Sequence, residues 1–324
     1  MQLSGERVTT AGAVPVRLST TDYPAFAKFA WGVLAYNILV ILWGALVRAT
    51  GSGAGCGGHW PLCNGDVVPQ VSQVATAIEF THRIMSGVAL IVVVSMFAWA
   101  RKALPTGHHA RKWAGWSLVF ILTEALLGAA LVLLGHVAND QSTGRVYSLT
   151  THLINTFLLL ASMALTAWWA TISSADPRHA AMPVRKPLNA WTIGALVVIA
   201  VAGAITALGD TLFPPQTLAQ GFAEDFATAS NFLVRLRVIH PALAVVASAL
   251  IAALAFPAWR SGKSKASRVL GGMLLCLVIA QVAAGTLTIL LRAPVAMQLT
   301  HLLIADCLWI SLVLFSSENL RQNG

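Results

Sequence analysis

Charge is scarce in this chain: 10% of its 324 residues are Asp, Glu, Lys or Arg, against roughly 25% in a soluble globular domain. Together with 57% hydrophobic residues, that shortage excludes an ordinary water-soluble fold. A soluble enzyme on a single anchor is excluded as well, because apolar stretches near the ~20 residues needed to cross a bilayer recur along the whole length. The formal net charge of +9 lacks any basic run or face, so no nucleic-acid partner is indicated. The first 28 residues lack the short apolar core and small-residue cleavage site of a signal peptide, and the first span is expected to be kept as a helix.

Eight spans are predicted, over 29–47, 78–100, 113–135, 148–172, 190–209, 233–256, 269–291 and 295–315. Lys and Arg gather on one side of them. Arg7, Arg17 and Lys28 precede the first span, Arg101, Lys102, Arg111 and Lys112 follow the second, Arg178, Arg185 and Lys186 follow the fourth, Arg260, Lys263, Lys265 and Arg268 follow the sixth, and Arg321 follows the last. The opposite loops proper hold only Arg145 and Arg292. By the positive-inside rule both termini are expected on the cytoplasmic side.

The second four spans echo the first. Gly44-Ala45-Leu46 matches Gly203-Ala204-Ile205, Glu124 with Gly128 matches Gln281 with Gly285, and His82 matches His240, all at nearly one offset. The expected fold is an all-α polytopic membrane protein whose eight transmembrane helices form two pseudo-symmetric four-helix bundles. The divisions are a cytoplasmic tail 1–28, an N-terminal bundle 29–172, a cytoplasmic linker 173–189, a C-terminal bundle 190–315 and a cytoplasmic tail 316–324.

Cysteines are few and of two kinds. Cys56 and Cys63 share the first outward loop, GSGAGCGGHWPLCNG, where an oxidising compartment permits a disulfide, structural or redox-active. A metal site using both sulfurs and His59 is the rival, although the spacing does not match common zinc patterns. Cys276 and Cys307 lie inside apolar spans and read as small buried hydrophobes.

The strongest chemical signal is the placement of four histidines. His82, His152, His240 and His301 each fall a turn or two into spans two, four, six and eight, all of which start on the outer side. One such histidine could be an interhelical hydrogen bond; four at matched depth, two per half, point to metal ligation. Imidazole pairs without a thiolate or carboxylate cage suit iron, and across a four-helix bundle they suit the axial positions of haem, with one site per half near the outer side. His59, His108, His109, His136 and His179 read as mostly solvated, with the role of His136 open because the outer end of span three could place it by a haem edge.

The two sites are expected to differ. Glu79 precedes His82 by three residues, on nearly the same helix face, whereas Arg237 takes that place before His240. Glu124 is likewise matched by Gln281, and an ionisable group at membrane depth is a functional candidate by default. Pairing of Glu79 with Arg83, or a structural ion pair for Glu124, remains open at this point, as does the role of Asp306 five residues beyond His301. Arg48, Arg83 and Arg237 near the outer helix ends suit haem propionates, since guanidinium pairs well with carboxylates.

With these residues in place the chain resembles a haem A synthase. The resemblance is carried by Gly44 and Arg48-Ala49-Thr50-Gly51-Ser52-Gly53, by Cys56 and Trp60-Pro61-Leu62-Cys63, by Glu79-Phe80-Thr81-His82-Arg83, and by the paired histidines of both halves. It implies oxidation of a methyl substituent of haem O to a formyl group by two successive hydroxylations, giving haem A for terminal oxidases. It assigns His82 and His152 to the substrate haem with Glu79 beside the reacting carbon, and His240 and His301 to a haem b cofactor. Implied partners are a haem O synthase upstream, a cytochrome oxidase or its assembly factors downstream, an electron donor that the sequence does not identify, and the lipid bilayer. Some relatives carry a second cysteine pair in the matching loop of the second half, but residues 210–232 contain none. A dihaem bis-histidine membrane cytochrome that only transfers electrons is the alternative, and a transporter built on duplicated bundles is the third reading.

Overall fold

The structure, a computed structural model, describes residues 23–70, 73–172, 186–262 and 264–321. Most of the expected cytoplasmic tail 1–28, most of the linker 173–189, and the last three residues of the tail 316–324 lie outside the described residues. So do Arg7, Arg17, Arg178, His179, Arg185 and Lys263.

Among the described residues ten helices follow one another: α1 (Pro24–Ala49), α2 (Val74–Ala103), α3 (His109–Leu133), α4 (Thr143–Thr171), α5 (Lys186–Leu212), α6 (Leu218–Phe226), α7 (Phe232–Arg235), α8 (Ile239–Ser261), α9 (Lys265–Leu290) and α10 (Val295–Arg321). Among the described residues, eight segments are long and apolar enough to cross a membrane, the sixth being α7, a 3-10 turn at Leu236–Val238 and α8 taken together. All eight expected spans are present. Most are longer than their apolar runs because helix continues into polar sequence once a cap is available. Ser142 accepts the Arg145 N–H and starts α4 five residues before the expected span, and Ser264 does the same for α9 through Ser267 N–H.

The first four long helices close on themselves, α1 packing on α2 and α4, and α3 on α2 and α4; in the second half α5 packs on α8 and α10, and α9 on α8 and α10. The halves meet where α1 and α4 face α5 and α10. Hence α4 and α10 are central: 67% and 44% of their apolar windows are buried, against 17% for α3 and 11% for α9. The outer helices turn Leu122, Leu126, Ile279 and Val282 outward, as side chains in hydrocarbon should be, since burial against lipid rather than water gives no hydrophobic drive between helices. Close packing takes its place. Ala30, Ala110, Ala114, Ala164 and Ala167 are fully buried, and small residues of this kind let backbones approach. Across the seam Trp309 stacks on Phe157 at 4.9 Å and its indole N–H donates to the Phe157 carbonyl at 2.8 Å, so that the indole's polar group is paired within the apolar interior.

Candidate functional site

The four singled-out histidines lie at one end of the helices, near the starts of α2, α4, α8 and α10. Each abuts a glycine near the far end of a neighbouring helix. A Cβ built on Gly44 of α1 would stand 3.0 Å from His82 Cε1, on Gly203 of α5 2.8 Å from His240 Cε1, on Gly285 of α9 3.0 Å from His301 Cε1, and on Gly128 of α3 3.9 Å from His152 Nε2. Glycines that served only to reveal the internal repeat are therefore walls of the histidine pockets, a role with no signature in sequence beyond their matched spacing.

These residues fit haem. The His240 and His301 ring centres are 6.3 Å apart, and two imidazoles on opposite sides of one metal, each nitrogen at about 2 Å, place their rings on the order of 6 Å apart. His240 Nδ1 lies 3.2 Å from the Ile199 carbonyl; as the donor it leaves Nε2 with a lone pair for iron. Nδ1 of His82, His152 and His301 is buried without a hydrogen bond, a cost that matters less once the opposite nitrogen is ligated and the ring fixed. Other histidines stand apart. His59 is exposed, His108 caps α3 by accepting the Ala110 N–H, His109 packs on Trp169 at 4.4 Å, and His136 Nδ1 meets Ser148 Oγ at 2.7 Å. The solvated reading thus holds for His59 and His109, which are exposed, while His108 and His136 are half-buried against structural neighbours.

Glu79 is 3% exposed, and the pairing with Arg83 that the sequence left open is present. Arg83 donates to Oε1 at 2.6 Å, and the backbone N–H of Cys56 donates to Oε2 at 2.8 Å. The loop is brought there by two features. Gly55 runs so close to the start of α2 that a Cβ would lie 2.5 Å from the Ala75 carbonyl carbon, and Thr76 donates to the Gly55 carbonyl at 2.8 Å. Cys56 and Cys63 form a disulfide, and Arg83 donates to the carbonyls of His59 at 2.6 Å and of Leu62. One buried carboxylate and one arginine thereby fasten a cross-linked loop over the His82 site.

The charge at the corresponding place in the second half is reversed. Arg237 is 7% exposed; Nε faces Asp210 at 3.0 Å, Nη1 faces Asp225 at 3.7 Å, and Nη2 donates to the carbonyls of Gly209 and Phe213. Asp210 and Asp225 were not anticipated, though both fall in the polar stretch between the fifth and sixth spans, where a partner for a buried arginine would have to come from. Arg48 crosses the seam, donating to the Ala207 carbonyl at 2.8 Å, to Thr211 Oγ1 at 3.1 Å and to Gln298 Oε1 at 3.0 Å. Asp306 is fully buried with both carboxyl oxygens unpartnered in hydrogen bonding.

Residues 27–313 match the family model described as cytochrome oxidase assembly protein. The chain belongs to the haem A synthase family. It is 29% identical to the haem A synthase of Bacillus licheniformis over 281 residues, covering 84% of this chain and 88% of that protein. It is also 29% identical to that of Shouchella clausii over 287 residues, covering 84% and 89%. With a Thermus thermophilus protein named protoheme IX farnesyltransferase the identity is 43% over 307 residues, 95% of this chain and 50% of that protein; the chain spans about half the length of that relative.

Two predictions arise from this geometry. Gly203→Ala forces the His240 ring off its place, because the new methyl falls 2.8 Å from Cε1. The ring can swing, so helix stability should change by less than about 1 kcal/mol, whereas haem content at that site should fall several-fold; full content with an unshifted absorption band would contradict the fit. Replacing Cys56 and Cys63 together by serine removes a short cross-link worth roughly 2 kcal/mol or more. Amides of residues 55–66 are expected to exchange hydrogen at least tenfold faster, while amides of α4 remain protected.

Proposed function

We propose that this family member oxidises a methyl substituent of haem O to a formyl group by successive hydroxylations, making haem A for terminal oxidases. Its N-terminal bundle, 29–172, binds the substrate haem between His82 and His152; its C-terminal bundle, 190–315, binds haem b between His240 and His301. The observation that supports this best is the contrast between two otherwise matched, glycine-walled histidine sites, of which only the first has a buried carboxylate, Glu79, tied to the cross-linked loop. When bound, haem b supplies the one-electron chemistry that the side chains lack.

The chain's own groups bind and orient. His82 and His152 fix the plane and tilt of the substrate. Glu79 presents a negative charge, pinned by Arg83 and Cys56 N–H, toward the carbon being oxidised, where it stabilises developing positive charge or accepts a proton at its carboxylate. The loop closed by Cys56 and Cys63 screens that carbon from bulk water. Arg48 and Arg83 keep donor capacity for propionates, and on Arg237 the loosely held Nη1, 3.7 Å from Asp225, is the nitrogen that reaches one. The protein sits in a bacterial-type cytoplasmic membrane with both termini cytoplasmic and the histidine sites near the outer face, as the distribution of Lys and Arg supports.

The partners follow from the reaction: a haem O synthase supplies the substrate, dioxygen with an electron donor would supply each hydroxylation (one oxygen atom inserted, the other leaving as water), the gem-diol loses water to give the formyl group, and an oxidase or its assembly factors receive the product. The Thermus thermophilus relative named for protoheme IX farnesyl transfer, half of which matches this chain, supports a close relation to the step that supplies haem O. The test is mass analysis of haem extracted from protein made with and without a haem O source. Haem b alone without it, and haem A or its hydroxylated precursor with it, are expected. Haem b under both conditions, at two per chain, would replace this reading with an electron-transferring dihaem cytochrome.

A further inference from the structure

Behind the α4 and α10 histidines the two halves place different groups at equivalent positions. In the first half Glu124 Oε1 lies 3.0 Å from His152 Nδ1, close enough for a hydrogen bond but without its alignment. The carboxylate is itself held: Thr156 Oγ1 donates to Oε1, Asn155 Nδ2 donates to Oε2 at 2.6 Å, and Thr123 Oγ1 donates to Asn155 Oδ1 at 2.7 Å. One turn further along α3, Gly128 faces the opposite nitrogen of the same ring. The carboxylate and the glycine bracket His152, with acceptor atoms on the Nδ1 side and open space on the Nε2 side.

The second half changes both the group and the side of the ring it faces. Gly285 again backs the ring, and Gln281 Nε2 lies 3.2 Å from His301 Nε2. His301 Nδ1 and Gln281 Oε1 are both buried without a partner. Ligation at Nε2 would require the amide to leave that nitrogen, and its Oε1 is then the group on Gln281 able to accept from Nδ1–H. A glutamine then does for His301 what a carboxylate does for His152, with a neutral and weaker acceptor.

We propose that Glu124 and Gln281 are positioning residues that fix the tautomer of His152 and His301 and set the two sites to different reduction potentials. A carboxylate accepting from Nδ1–H makes the imidazole a stronger donor to iron and favours the oxidised metal; an amide does so less. The substrate haem is thereby held at lower potential than the haem b cofactor. This rests on haem ligation by these histidines, as proposed above.

The experiment is a spectroelectrochemical titration of purified, haem-loaded protein carrying Gln281→Glu, made without a haem O source, and Glu124→Gln, made with one. Gln281→Glu is expected to lower the ratio of reduced to oxidised haem at fixed potential by about tenfold, equivalent to about 59 mV for a one-electron couple; Glu124→Gln is expected to raise it by a similar factor at the substrate site. Normal haem content with wild-type potentials in both variants overturns the proposal, since a merely structural role would move thermal stability and leave potentials alone. If Glu124→Gln fails to fold, Gln281→Glu decides: an unmoved potential, or lost haem, is fatal. A wild-type protein with no bound haem would instead defeat the ligation reading itself.

Discussion

Alanine at His240 or His301 is expected to strip haem b from the purified protein to below about a tenth of the wild-type content, whereas alanine at His82 or His152 leaves haem b in place and prevents substrate haem from being held. An axial imidazole cannot be replaced by a neighbour here. The walls beside each ring are glycines, and His240 is held through Ile199 and faces His301 across 6.3 Å, so a haem held by this pair would lose one of its two ligands with either substitution. The check is extracted haem per chain, with and without a haem O source, in all four variants. Equal loss of haem b from both pairs would end the division of labour between the halves.

Glu79→Gln is expected to slow haem A formation on the order of a hundredfold, the loss usual for a positioned acid–base or charge-stabilising group. Glutamine has nearly the same shape and can still accept from Arg83 or Cys56 N–H through one oxygen, so loop closure and haem binding should survive. What disappears is the negative charge, in a site where burial makes it count. Product formation in membranes supplied with haem O, normalised to bound haem, separates the effects. A wild-type rate with normal binding would mean that the carboxylate only fastens the loop. Substitution of Arg83 offers a contrast, because it frees the loop carbonyls of His59 and Leu62 while leaving the carboxylate behind.

Much of this arrangement is legible in the amino-acid order because the membrane leaves few options. Spans must be apolar and helical, so a histidine or glutamate inside one stands out, and His82, His152, His240 and His301 identify themselves by depth alone. The cysteine pair is similarly plain, being confined to one loop. Contacts between distant segments are not. Nothing in the local pattern says that Cys56 N–H meets Glu79, that Arg48 reaches Thr211 and Gln298, or that Arg237 is balanced by Asp210 and Asp225. These depend on how helices rotate about their axes, which the long apolar runs of α1, α3 and α9 leave undetermined because every face of them is apolar. Helix ends were misjudged at α2 and α4 for a related reason: polar residues such as Thr76 and Arg145 sit on helix that hydropathy alone does not reveal.

The seam between the halves is pinned at two depths, by Arg48 near the histidine end and by Trp309 on Phe157 deeper in. Transporters made of duplicated bundles work by rocking one repeat against the other around a fixed site, and such a swing would have to break both ties at once. Here the repeat is instead a rigid frame. The spacing between its two histidine pairs is then a constant of the molecule.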